Sequence, residues 1–111
     1  IQGYSAEGFR VSGQSYDGAI FVTPTKTTPW GAGAFSTLSE SNFASLFDQA
    51  QDIDVVLLGC GAKGEFFPPK LRAALKDKGL SVDVMDTGAA CRTYNVLMAE
   101  GRRIVAALLP L

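Results

Sequence analysis

Ile53-Asp-Val-Val-Leu-Leu-Gly-Cys-Gly-Ala-Lys-Gly64, then Pro68-Pro-Lys-Leu-Arg-Ala-Ala-Leu-Lys-Asp-Lys-Gly79 and Leu80-Ser-Val-Asp-Val-Met85, reads as strand, loop, helix and strand. Asp54 to Gly59 shows no apolar–polar alternation, the pattern of a strand covered on both faces and placed at the centre of a sheet. Pro68-Pro69 is a first-turn signal, Leu71, Ala74 and Leu75 form an apolar face, and Gly79 suits a helix C-terminus, so a helix is expected from about Pro69 to Lys78. Leu80, Val82 and Val84 alternate with Ser81, Asp83 and Met85, which predicts an edge strand with one face nearer water. Strand, crossover helix and strand in this order predict a right-handed parallel pair.

Downstream, Thr87 to Arg103 forms a last helix with Ala90, Tyr94, Leu97 and Met98 as its buried stripe. It delivers the chain to Ile104-Val-Ala-Ala-Leu-Leu109, apolar on both faces and so expected inside the sheet. Upstream, Phe43, Leu46, Phe47 and Ala50 recur at helical spacing from roughly Glu40 to Gln51, behind Ser39 and Asn42, which lack the acid of a full capping box. Before that, Phe9 and Val11 alternate with Arg10 and Ser12, and Ala19-Ile-Phe-Val-Thr23 is rich in strand formers. With Ser12-Gly13 and Asp17-Gly18 as turns, they predict a β-meander. Pro24 and Pro29 confine any strand between them to an edge. The expected fold is α/β: one three-layer domain over residues 1–111, with a central mixed sheet that incorporates the N-terminal meander, and about three helices.

Composition narrows the function classes. The chain has 111 residues, the size of one core. Ten Lys and Arg against eleven Asp and Glu leave a net charge of −1, too little positive field to gather a nucleic acid. No apolar run reaches the roughly 18 residues of a membrane-spanning helix. Two cysteines and no histidine rule out the usual zinc and C-x-x-C patterns, so no metal is assigned, and the simplest compartment is a reducing one. Because the chain opens on Ile1 rather than Met, a start segment is expected to precede it.

Gly59-Cys-Gly-Ala-Lys-Gly64 matches G-x-G-x-x-G after a buried strand, and Asp83 and Asp86 lie near where a ribose-binding acid would. A dinucleotide fold, however, starts its helix inside the motif so that helix amides meet the pyrophosphate. Here Glu65-Phe-Phe-Pro-Pro69 intervenes, and the second nucleotide-binding half is missing. The plainer reading is a tight glycine turn, and no cofactor is assigned. An anion pocket is the intermediate reading, with Gly59, Gly61, Lys63, Thr87 and Arg92 as contacts. Cys60 in the loop and Cys91 in the last helix could pair as redox thiols, but the absence of a basic cluster favours two small buried hydrophobes. Asp86, Glu65 and Glu100 are the acids available as a general base, and no spacing pairs two of them, so no catalytic residue is assigned. Thr93 and Asn95 are poor mid-helix formers, which is expected where side chains satisfy neighbouring backbone, with Glu100 and Arg102 locking the helix onto adjacent loops.

Gly59-Cys-Gly, Pro68, Met85-Asp-Thr87, Ala90, Arg92-Thr-Tyr-Asn95, Leu97 and Glu100-Gly-Arg102, followed by the apolar strand, resemble a small α/β family first known from a methanogen protein of unknown function. Its mitochondrial members include respiratory complex I assembly factor 3. The likeness spans nearly the whole chain, and its most specific part is Thr93-Tyr94-Asn95 with Glu100-Gly-Arg102. It implies a three-layer domain and a role in complex assembly through protein contacts, with no settled enzyme activity. The compartment would be mitochondrial in a eukaryote and cytoplasmic in a bacterium. The expected function is a non-catalytic interaction protein, peripheral to a membrane complex, that docks a protein partner through Trp30, Phe66 and Phe67; the equal alternative for these aromatics is that all three simply cover the sheet. The alternative is a small-molecule or anion-binding protein, for phosphate or nucleotide, using the Gly59 to Thr87 pocket.

Overall fold

A computed structural model describes residues 1–23, 25–63 and 66–111. The readings that fall on Pro24, Gly64 and Glu65 therefore lie outside the described residues. Among the described residues, eight strands, two 3-10 segments and two α-helices follow in order: β1 Gly3–Tyr4, β2 Gly8–Val11, β3 Gln14–Asp17, β4 Ile20–Val22 and β5 Thr27–Pro29, the 3-10 segments Phe35–Thr37 and Glu40–Asp52, then β6 Val55–Gly59, α1 Pro69–Asp77, β7 Val82–Met85, α2 Thr87–Ala99 and β8 Ile104–Leu108.

Five strands form the central sheet in the order β5-β4-β8-β6-β7. β6 lies between β8 and β7 and is parallel to both, while β4 is antiparallel to β8 and to β5. The uniformly apolar strands β6 and β8 are thus interior, and the alternating β7 and the proline-flanked β5 are the two edges. The sheet is mixed, as expected. The meander, however, divides: β1, β2 and β3 make a separate antiparallel sheet, and only β4 and β5 join the central one.

Strand alternation explains the layers. Val56 and Leu58 of β6, Val105 and Ala107 of β8 and Phe21 of β4 share one core with Phe43 and Leu46 of the long 3-10 segment and Leu75 of α1. Leu57, Ile104, Ala106, Leu108, Ile20 and Val22 face the other way and pack with Ala90, Cys91 and Tyr94 of α2 and Phe9 and Val11 of β2. A sheet covered on both faces needs apolar residues at every interior position. β8 is buried along its whole length.

Glu40–Asp52 carries the expected apolar stripe, with Phe43, Leu46 and Ala50 buried, but it winds as a 3-10 helix. The Trp30 indole donates to the Asn42 carbonyl at 2.6 Å, taking an acceptor that an α-helix would offer to an amide four residues on. Asn42 also supplies the cap, its Oδ1 accepting from the Ser39 amide at 2.8 Å, in the place an acid holds in a full capping box. Both α-helices end alike. In α2 the Arg102 amide returns to the Leu97 carbonyl and the Gly101 amide to the Met98 carbonyl, and in α1 Leu80 and Gly79 do the same to Leu75 and Lys76. This Schellman closure needs a left-handed residue, and Gly79 and Gly101 have φ of 89° and 77°.

Candidate functional site

The carboxyl ends of β6 and β7 and the start of α2 meet at Gly59, Gly61 and Thr87. Thr87 is fully buried. Its hydroxyl accepts from the Gly61 amide at 2.9 Å and donates to the Leu109 carbonyl at 2.6 Å, while its own amide donates to the Gly61 carbonyl at 2.8 Å. A Cβ on Gly59 would stand 2.9 Å from Thr87 Oγ1 and 3.0 Å from Leu108 Cδ2. The glycine is therefore required by the helix pressing on the strand, and one threonine laces loop, helix and last strand together.

That lacing occupies donors the anion-pocket expectation relied on. The Ala89 amide donates to the capping carboxylate of Asp86 at 2.9 Å, and the Ala90 amide to the Asp86 carbonyl. Asp86, considered above as a ribose contact or a base, caps the helix, and Asp83 is exposed on β7. Lys63 is exposed, and its carbonyl accepts from the buried Cys60 thiol at 3.1 Å. Arg92 lies against the first turn of α2, 3.3 Å from where a Cβ on Gly88 would stand, and its guanidinium donates to the Tyr4 hydroxyl at 3.3 Å. The structure thus brings Gly59, Gly61 and Thr87 together, with Lys63 exposed on the loop and Arg92 engaged with Tyr4. Cys91 is buried, and burial pushes its thiol from 9.0 up to about 11, opposite to the lowering that a position at a helix start suggests.

The motif Arg92-Thr-Tyr-Asn95 faces the small first sheet. Asn95 holds the backbone of Ile1 at two points, Oδ1 accepting from the Ile1 nitrogen at 2.9 Å and Nδ2 donating to its carbonyl at 3.1 Å. Arg92 takes Tyr4 three residues earlier on the helix, where i and i+3 share a face. Thr93 is half-buried. Tyr94 is 3% exposed, and burial pushes its phenol up to about 12. Its hydroxyl has no hydrogen-bond partner among the described residues. Glu100 and Arg102 are exposed and belong to the C-terminal closure of α2. At the opposite end of the sheet, Arg103 grips Asp54 through its side chain at 2.8 Å and its amide at 3.1 Å, which holds that carboxyl below its usual range.

The three aromatic docking candidates separate. Trp30 and Phe67 are core residues, 8% and 6% exposed. The Trp30 ring lies 4.8 Å from Phe21 and 5.4 Å from Phe43, and Phe67 packs against Phe35 at 6.1 Å and under the Arg72 guanidinium at 5.3 Å. The expectation that they dock a partner is corrected: Trp30 fills the layer between the sheet and the long 3-10 segment, and Phe67 joins the same core beside Phe35 and Arg72. Phe66 stands 79% exposed beside a groove of about 620 Å³ lined by Phe67, Pro69, Arg72, Ala73, Lys76 and Val84. Among the described residues no group of three or more His, Cys, Asp or Glu is placed to hold a metal ion. The sequence reading missed Tyr4 and the orphaned Tyr94 hydroxyl. The second had a signal, since a tyrosine in a buried stripe must bring a partner for its hydroxyl.

Comparison with known proteins gives the chain its relatives. NADH dehydrogenase (ubiquinone) 1 alpha subcomplex assembly factor 3 of Bos taurus is 34% identical over 110 residues, covering 99% of this chain and 60% of that protein. The chain thus spans 60% of the length of that curated relative. An uncharacterised protein of Rhodobacter capsulatus is 34% identical over 111 residues, covering 100% of this chain and 84% of its own length. Among solved structures, an outer membrane protein from Bartonella henselae superposes with a TM-score of 0.89 at 33% identity, covering 99% of this chain and 92% of that one. A Bordetella pertussis protein described as a Mth938-like domain superposes with a TM-score of 0.81 at 28% identity, covering 99% and 84%. A family model described as a protein of unknown function, DUF498/DUF598, matches residues 1–109. A match of that span, supported by relatives of this identity and coverage, shows that the chain belongs to the DUF498/DUF598 family.

Proposed function

We propose that this protein is a non-catalytic interaction protein that helps assemble a respiratory or other membrane-bound complex by docking a protein partner. The observation that carries this reading is Phe66, 79% exposed at the mouth of an apolar groove beside the open edge strand β7. A bare aromatic contiguous with an apolar groove makes a joined apolar patch, the kind of surface on which a partner docks. Arg72 and Lys76 line the same groove, so the partner presents an apolar anchor with acidic neighbours. The name carried by relatives at 34% identity, an assembly factor for NADH dehydrogenase, supports this class of role. No helix among the described residues is long and apolar enough to cross a membrane, and the role proposed is peripheral to the complex. It is exercised in the mitochondrion in a eukaryotic host and in the cytoplasm in a bacterial one.

The test is complementation of a deletion strain with the full-length protein or its Phe66→Ser variant, reading assembled respiratory complexes on native gels and complex subunits that crosslink to the protein. An exposed substitution changes stability by about 0.5 kcal/mol or less, so the variant stays folded. The expected result is loss of assembled complex on deletion, restored by wild type and not by Phe66→Ser. Normal assembly in the deletion strain would sink the assembly role, and full rescue by Phe66→Ser would sink the groove as the docking site.

A further inference from the structure

Tyr94 leaves one hydrogen bond unmade. Among the described residues its buried hydroxyl has no partner, and native structures rarely keep such a group without a reason. Being held protonated by burial, it is a donor that lacks an acceptor. Tyr94 also lines a cleft of about 330 Å³ between the first sheet, the β4–β5 hairpin and α2, a size that suits a small molecule. One part of the wall is apolar, from Val11, Val22 and Met98, and another carries Thr27 and Lys26. Among the described residues lining it, Lys26 is the one charged side chain, and no carboxylate lines it.

We propose that this cleft binds a small organic carboxylate, one oxygen accepting from the Tyr94 hydroxyl, the charge facing Lys26 and the apolar body lying against Val11, Val22 and Met98. An orphaned donor, a lone cation and the absence of any lining acid all select an acceptor with negative charge. Met98, one turn beyond Tyr94 on the helix and 43% exposed, is the flexible thioether that moves to admit the ligand. The site shares no residue with the Phe66 groove, so it stands whether or not the docking role does.

The experiment is amide-shift titration of the labelled protein with acetate, butyrate, pyruvate and 2-oxoglutarate up to roughly 10 mM, where even a millimolar site fills. Butyramide serves as the uncharged control, and Tyr94→Phe and Lys26→Ala as variants. The expected result is saturable shifts around Tyr94, Val22 and Thr27 with at least one acid, weakened about tenfold in each variant, a loss of about 1.4 kcal/mol, and weaker shifts with butyramide. Tyr94→Phe without ligand is expected to melt at or above the wild-type temperature, because it deletes an unpaired buried hydroxyl. Absence of shifts with every acid, equal affinity in Tyr94→Phe, equal binding of butyramide, or a lower melting temperature for ligand-free Tyr94→Phe would each overturn the proposal.

Discussion

Thr87 shows how far a single residue's role can be read from its neighbours in sequence. After an edge strand and at the start of a helix it has the chemistry of an anion contact, and that is how the sequence presents it. In the fold its hydroxyl is committed twice, to the Gly61 amide and the Leu109 carbonyl, inside a fully buried junction. Leu109 lies 22 residues away, and no local pattern announces so distant a partner. The same limit applies to Trp30, whose place after a proline suggests an exposed loop but whose indole seats between Phe21 and Phe43. Gly59, in contrast, was legible as a required glycine, although for packing against Thr87 rather than for phosphate. Thr87→Val keeps the shape and removes the hydroxyl, leaving the Gly61 amide and the Leu109 carbonyl unpaired. The expected cost is about 1–3 kcal/mol for each, read by urea unfolding, with Thr87→Ser recovering most of it. A Val variant as stable as wild type would show that these bonds do not hold the junction.

At the scale of the element, α2 was the most legible part of the chain and also the one whose chemistry inverted. Ala90 and Tyr94 of its expected stripe are buried, but Met98 is 43% exposed, and the helix expected from Thr87 to Arg103 runs Thr87–Ala99, because Gly101 closes it in the left-handed region. The position of Cys91 near the helix start suggested a lowered thiol pKa, but the packed face against the sheet dominates, and desolvation raises it to about 11 from 9.0. Tyr94 on the same face rises to about 12 from 10.0 for the same reason. Each group is neutral in the folded state at a pH where the unfolded chain has already lost its proton. Below pH 9 both states are protonated and this contribution is complete. Above it the unfolded chain sheds protons first, and stability falls until the folded groups also ionise near 11 and 12. The melting temperature is therefore expected to decline as pH rises past 9. Cys91→Ala should flatten the lower part of that decline and Tyr94→Phe the upper part. Unchanged slopes in both variants would mean that other groups control the alkaline limb.

For the whole molecule, the order of elements around Ile53–Arg103 was readable because uniform apolar strands must be interior and alternating ones lie at edges, and the sheet order β5-β4-β8-β6-β7 obeys both. The division of the meander was not readable, because turn dipeptides specify that strands reverse and not which neighbour they then choose. β4 is buried at all three residues and joins β8. β1–β3 instead lie over α2, held by Phe9 and Val11 in the shared core and by the polar contacts of Arg92 with Tyr4 and Asn95 with Ile1. The three-residue spacing of Arg92 and Asn95 thus serves as a clasp between the last helix and the first strand, joining parts of the chain 94 residues apart. Since the clasp is exposed while the rest of the contact is apolar, Asn95→Ala should loosen the first sheet without unfolding the second. Hydrogen exchange is expected to quicken in Gly3–Tyr4 and Gly8–Val11 by roughly tenfold, the effect of about 1.4 kcal/mol on local opening, while β6 and β8 keep their protection. Equal acceleration in both sheets would mean that they open as one unit. No acceleration in either would mean that the apolar contact alone holds the first sheet on the helix.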